Sequence, residues 1–295
     1  MTSNTVVLAK LREDILLRGL SEHTVDSYVL NAGIFLKYCG KPVEQINEID
    51  IRRFLCHLTV EKKSAPGTVN CYGAAIRFLF AVTLNRTLNY LQIPLQKKPK
   101  TLPEILTREE IGSILERCEN IKHKAMLTLA YSSGLRVSEV AKLKVQHIDS
   151  KNMRVFIDRG KGGKDRYTIL SETCLLILRE YWRAYRPKHP ENWMFLGVRG
   201  LDHMSAPGIR HAFNKAISRT AVTKDVSIHS LRHAFATHLL EDGVDLLHIK
   251  ELMGHTSIRS TTVYLHLANV TSGIISPLDK TSVYSYPLAE VNTNA

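Results

Sequence analysis

Apolar positions recur at helical spacing through the first 85 residues. Leu8, Leu11 and Ile15 form one stripe over 5–18, and Gly19 stands where that helix would end. Ser21 and Thr24 offer caps for a second helix, whose buried face would be Val25, Tyr28, Ala32 and Phe35, stopping at Gly40. Ile51, Phe54, Leu55 and Leu58 predict a third helix over about 48–62. Pro66-Gly67 interrupts the chain, and a fourth helix is predicted from about Thr68 to Leu84. Four amphipathic helices make an all-helical domain, placed here at 1–93.

Residues 94–105 break the pattern. Pro94, Pro99 and Pro103 prevent a continuous helix, and Lys97, Lys98, Lys100 and Glu104 favour solvent, so this stretch reads as a linker. Thr107 and Glu110 have capping-box spacing and open a second domain, placed at 106–272. Its predicted helices cover about 107–119 and 121–133, the latter ending at Gly134, then a short one from Ser138 to Leu143. The period then shortens to two. Residues 153–158 and 166–170 are strand-like and flank a Gly-rich turn, which predicts a β-hairpin. Helices resume at about 172–185, 207–219, 229–241 and 245–253. Residues 273–295 are polar with little periodicity and are expected to be a flexible tail. The expected fold class is mainly α with a small β-hairpin or sheet: a four-helix domain followed by an α+β domain.

Composition narrows the partners. The chain has 295 residues, net charge +12 and 44% hydrophobic content, a basic globular profile suited to a polyanion. The surplus is shared: residues 1–100 carry 14 Lys/Arg against 8 Asp/Glu, and the remainder carries 26 against 20. Both halves could therefore meet a phosphate backbone. The cysteines at 39, 56, 71, 118 and 174 form no CxxC pair, which suggests reduced thiols in a cytosolic protein. The N-terminus lacks a basic segment followed by an apolar run, and no stretch is long and apolar enough to span a membrane, so no membrane association and a cytoplasmic location are expected.

The chemistry concentrates in the last third. His229 and Arg232 are three apart and share a helical face; Gly254-His255 and Tyr264 follow. Upstream, Gly134-Leu-Arg136-Val-Ser-Glu139 adds an arginine, and Gly160-Lys161-Gly-Gly-Lys164-Asp-Arg166 adds a lysine at a tight turn. These residue types suit attack on a phosphodiester by a phenol. Charge builds on the non-bridging oxygens, and guanidinium groups bind two oxygens at once while staying protonated. A phenol of pKa near ~10 needs a proton acceptor to attack at neutral pH.

Arg136, Lys161, His229, Arg232, His255 and Tyr264 occur in the order found in the tyrosine recombinases, the phage integrase family, and the sequence strongly resembles them. Met253-Gly-His255 and the nine-residue step to Tyr264 are very close to the family string. Ser21-x-x-Thr24-Val-x-x-Tyr28 is similar, more loosely, to the start of the family's SAM-like core-binding domain. The resemblance implies a SAM-like DNA-binding domain before a tyrosine recombinase catalytic domain. It implies Tyr264 as nucleophile, Arg136 and Arg232 as phosphate clamp, and Lys161 as acid for the leaving 5′ oxygen. His229 would be the proton acceptor, His255 a hydrogen-bond donor, and Glu139 an orienting carboxylate. Arg77, Lys164 and Arg166 are expected DNA contacts. His233 and His238 are expected as packed core residues.

The implied reaction cuts and rejoins DNA through a 3′-phosphotyrosyl link, with four protomers acting on two double-stranded sites built from inverted repeats. No cofactor is expected. His229 and His233 have i,i+4 metal spacing, but no third ligand falls at a recognisable distance, and the phosphate-binding G-x-x-x-x-G-K-[ST] string is absent. A type IB topoisomerase and a DNA-binding protein that has lost catalysis are the alternatives by chemistry. Past Tyr264, Gly273 and Pro277 interrupt the amphipathic helix that Xer-type recombinases carry there. That favours integration, excision or transposition of a mobile element over resolution of chromosome or plasmid dimers.

Overall fold

The helical stripes, caps and turn signals resolve into eleven α-helices and three short strands among the described residues. The computed structural model describes residues 4–89, 93–97, 103–158, 165–255 and 257–267. The chain divides into two compact units, Met1–Thr101 and Leu102–Ala295. Lys161, Lys164 and the expected tail at 273–295 lie outside the described residues.

The first unit holds α1 (Asn4–Leu17), α2 (Glu22–Cys39), α3 (Glu48–Val60) and α4 (Pro66–Phe78). Ser21 caps α2 by accepting from the Thr24 backbone, and Gly40 ends it at φ 63°. Asn47 caps α3 through a reciprocal bond with Asp50. Pro66 opens α4 instead of preceding it, because the first helical position has no intrahelical use for the N–H that proline lacks. The end of the predicted fourth helix is a π-helical turn, Leu79–Thr83. Leu11, Ile15, Val25, Phe35, Phe54, Ile76 and Phe80 fill one core. Arg86 closes it from below by donating to the carbonyls of Val43 (3.0 Å) and Ile46 (2.9 Å). Part of the stretch read as a linker belongs to this unit: the Gln96 backbone N–H and carbonyl pair with the Asn70 side chain, each at 2.9 Å.

The second unit is built on α6 (Ile121–Ser132), buried continuously from Ala125 to Ala130. A helix apolar on every side must sit centrally. Around it lie α5 (Arg108–Glu116), α8 (Glu172–Tyr185), α9 (Ala206–Ile217) and α10 (Ile228–Glu241). Thr107 caps α5 through the expected reciprocal bond with Glu110. The hairpin is β2 (Arg154–Ile157) with β3 (Arg166–Ile169), pairing Phe156 with Tyr167 and Ile157 with Arg166. A third strand, β1 (Ile148–Asp149), extends it in the order β1-β2-β3; two residues carry no periodicity to predict it from. A satellite core forms from Phe235, Ala236 and Leu240 of α10, Ile249 and Met253 of α11 (Leu246–Met253), and Tyr264. No helix among the described residues is long and apolar enough to cross a membrane.

Candidate active site

Three segments distant in sequence carry the site. The α6–α7 turn leads through Gly134 into α7 (Val137–Ala141), with Arg136 just before that helix. The first two turns of α10 carry His229, Arg232 and His233. The end of α11 carries Gly254 and His255, and a 3-10 turn, Thr262–His266, carries Tyr264.

Gly134 is required twice over: φ is +61°, and a Cβ there would lie 2.3 Å from the Phe235 ring. Its carbonyl accepts from Arg232. Gly254 is constrained in the same way, at φ +60° with Arg166 Cδ 2.8 Å from a virtual Cβ. It ends α11 in a Schellman arrangement, with Gly254 N–H donating to Glu251 O (3.0 Å) and His255 N–H to Lys250 O (3.1 Å). That ending leaves the next three carbonyls pointing outward. The Leu252 carbonyl accepts from Arg166 Nε (2.9 Å), Met253 from Arg232 Nη2, and Gly254 from Arg136 Nη2 (3.3 Å). The negative end of a helix is the natural partner for guanidinium groups.

Glu139 is the carboxylate at the centre of these arginines. It accepts from Arg136 Nη1 (2.7 Å), the Arg136 backbone N–H (2.8 Å), and Arg166 Nη1 and Nη2 (2.9 and 2.8 Å). Arg232 Nη1 lies 3.9 Å away. Burial opposes charge on Glu139, but the Arg166 and then the Arg136 contacts hold its carboxyl down to about 2. Burial, reinforced by Arg136, brings Arg232 down to about 9, so it remains cationic at neutral pH. The Arg136 side chain is 18% exposed and that of Arg232 6%, so Arg136 offers the more open guanidinium.

Arg166, expected as a DNA contact, is instead an interior residue. Its side chain is 8% exposed and is occupied by Glu139 and Leu252. The alternation of β3 dictates this, since Arg166 shares the inward face with buried Thr168 while Tyr167 and Ile169 face out. Arg77, also expected at DNA, is half-buried and donates to the Ile93 carbonyl.

The imidazoles divide by partner. His255 Nδ1 pairs with Thr261 Oγ1 at 2.9 Å, and its ring stacks near-parallel to Tyr264, 12° between planes and 6.3 Å between centroids. Burial and then Arg232 depress His255 to about 4, leaving it neutral. His229 is exposed at the start of α10; partial burial of its ring and then the charge of Arg210 on α9 lower its pKa. The ring that reaches the phenol is His233: Nδ1 lies 3.1 Å from Tyr264 Oη. His238, expected like His233 as a packed core residue, pairs instead with Tyr131 Oη at 2.9 Å. The sequence signal for His233 is its i,i+4 step from His229, which places both rings on one face of α10.

Tyr264 is 2% exposed, and burial raises its phenol above the ordinary range, partly countered by Arg232 and Arg136. The arrangement is thus a buried phenol, a neutral imidazole on it, and three guanidinium groups sharing one carboxylate among the described side chains.

The model of the Phage integrase family matches residues 104–270, and that of the Phage integrase N-terminal SAM-like domain matches residues 7–90. A putative integrase/recombinase, y4qK, of Sinorhizobium fredii is 40% identical over 93% of this chain and 89% of its own. A tyrosine recombinase of Thermosipho africanus is 30% identical over 86% of this chain and 92% of its own. Among solved structures, a lambda integrase tetramer bound to a Holliday junction aligns with TM-score 0.71 at 17% identity, covering 92% of this chain and 78% of that one, a likeness of fold. The chain belongs to the phage integrase family, the tyrosine recombinases, enzymes that cut and rejoin DNA.

Proposed function

We propose that this chain is a site-specific recombinase in which Tyr264 attacks a DNA phosphate, forms a 3′-phosphotyrosyl link and frees a 5′-hydroxyl. The observation that carries this reading is the surplus of buried positive charge beside the phenol. Arg136, Arg166 and Arg232 surround the single carboxylate of Glu139, and Tyr264 feels the charge of two of them. Buried like charges repel unless an anion joins them, and a phosphodiester is the anion that also places phosphorus near a phenol.

In this reading Arg136 and Arg232 hold the non-bridging oxygens, His229 is the proton acceptor that the family resemblance implies, and His255 donates a hydrogen bond. Glu139 and Arg166 fix the clamp, and Lys161 protonates the leaving 5′ oxygen. The unit at 1–93 adds a second basic surface for duplex DNA, joined through 94–105 to a catalytic unit at 106–272. Four protomers would act on two inverted-repeat sites, and the biological setting would be integration, excision or transposition of a mobile element.

The test is a duplex made from the inverted repeats flanking the gene, nicked beside the cleavage position so that the freed end diffuses away. The full chain is expected to form a covalent adduct in EDTA, and Tyr264→Phe to form none. An adduct that survives Tyr264→Phe, or that EDTA abolishes, overturns the reading.

A further inference from the structure

We propose that His233 is a further catalytic residue, the group that takes the proton from the Tyr264 phenol during strand cleavage and returns it on rejoining. This rests on the recombinase reading above and moves its proton acceptor from His229 to His233, the ring bonded to the phenol.

Among the described imidazoles, His233 is the one hydrogen-bonded to Tyr264 Oη, at 3.1 Å through Nδ1, within proton-transfer reach. His255 lies against the ring of Tyr264, but its Nδ1 is engaged with Thr261. His233 stands on the second turn of α10, and its ring packs against that of Tyr264 at 5.8 Å between centroids. Tyr264 is buried with Phe235 and Met253 in the satellite core. An acceptor locked to the nucleophile before the substrate arrives costs no ordering at the moment of reaction.

The protonation states are compatible. Burial, then His229 and Arg232, lower the pKa of His233, so its ring is neutral at physiological pH. With its proton on Nε2, Nδ1 accepts from the phenol O–H. A phosphate entering beside Arg232 and Arg136 offsets the positive field that disfavours imidazolium, so His233 becomes a better acceptor when DNA is bound.

The step balances. The phenol proton moves to His233 Nδ1 as the Oη–P bond forms. The P–O5′ bond breaks, and the 5′ oxygen takes a proton from Lys161. Rejoining reverses each transfer: the 5′-hydroxyl proton returns to lysine, the Oη–P bond breaks, and His233 gives its proton back to the phenol oxygen.

The experiment compares wild type, His233→Asn, His233→Ala and Lys161→Ala on the nicked inverted-repeat duplex. A second copy of that duplex carries a 5′-bridging sulfur at the scissile phosphate. Asparagine keeps a hydrogen-bond acceptor near Nδ1 but takes no proton at neutral pH, and duplex affinity is measured alongside as a check on folding. The expected result is a ~10²–10³-fold slower single-turnover adduct for both His233 variants, with affinity retained and the deficit shrinking as pH rises toward the phenol range. Sulfur leaves without protonation, so it should rescue Lys161→Ala and leave the His233 variants slow. His233→Asn cleaving at the wild-type rate, or being rescued by sulfur, overturns the proposal while leaving the Tyr264 adduct intact. Absence of any Tyr264-dependent adduct in wild type removes the recombinase reading itself, and this proposal with it.

Discussion

Arg166 and Glu139 meet fork to fork, each terminal guanidinium nitrogen on a separate carboxylate oxygen, at 2.9 and 2.8 Å. The pair joins β3 to α7, and through Arg136 it sets the guanidinium that faces the opening of the site. Lysine carries the same charge but cannot make the two parallel bonds or reach the Leu252 carbonyl at the same time. Arg166→Lys is therefore expected to slow adduct formation by roughly 10²-fold, through misplacement of the clamp. Its affinity for duplex DNA should fall less than twofold. A loss confined to affinity would instead make Arg166 a DNA contact.

Glu139 gives the catalytic unit a pH dependence whose sign can be worked out. Its folded pKa, about 2, lies below the ordinary 4.5, so the stabilisation is complete above about 4.5 and is lost as pH falls toward 2. The shift corresponds to about 3 kcal/mol. Urea unfolding followed from pH 6 to pH 3 should show wild type losing more stability than Glu139→Gln, the difference isolating this carboxylate from others. Parallel curves would mean that the arginine contacts do not discriminate its charged form.

Glycines in the left-handed region give a graded series. Gly243 has φ +83° with nothing within 4 Å of a virtual Cβ, so Gly243→Ala should cost only the conformational strain, about 1–2 kcal/mol. Gly134→Ala adds a 2.3 Å approach to the Phe235 ring and should exceed 3 kcal/mol. Gly254→Ala should fall between them in stability, because the atoms it meets belong to the longer Arg166 side chain, yet cost more activity than stability predicts. Thermal melting and adduct rate on the three variants check the order.

In the first unit Arg86 satisfies the carbonyls of Val43 and Ile46 and lies over the Phe80 ring at 5.2 Å. Arg86→Ala should destabilise this unit by about 2–3 kcal/mol while leaving the fold of residues 103–267 unchanged. Hydrogen exchange, read separately on peptides from each unit, distinguishes this from a global effect.

The sequence was legible where a property is local. Stripes such as Leu11–Ile15, the Thr107–Glu110 capping box and the period change into β2 and β3 each express short-range physics, and those elements form. The inward direction of Arg166 was also legible, since Arg166, Thr168 and Leu170 alternate along one strand, but its charge suggested a surface role. Two features could not be read. The His233–Tyr264 contact spans 31 residues and depends on how α11 folds back on α10. The π-helical turn at Leu79–Thr83 has no pattern of its own and reflects packing.

The three carbonyls at the end of α11 belong to the backbone, so no side-chain replacement at Leu252 or Met253 can delete them. Side-chain substitutions leave the acceptors in place; length changes do not. One residue inserted into this eight-residue helix would turn its end by about 100° and carry all three acceptors away from their arginines together. The three acceptors should therefore survive side-chain replacement but not a change in register, a vulnerability to insertion that a scan of single substitutions would never reveal.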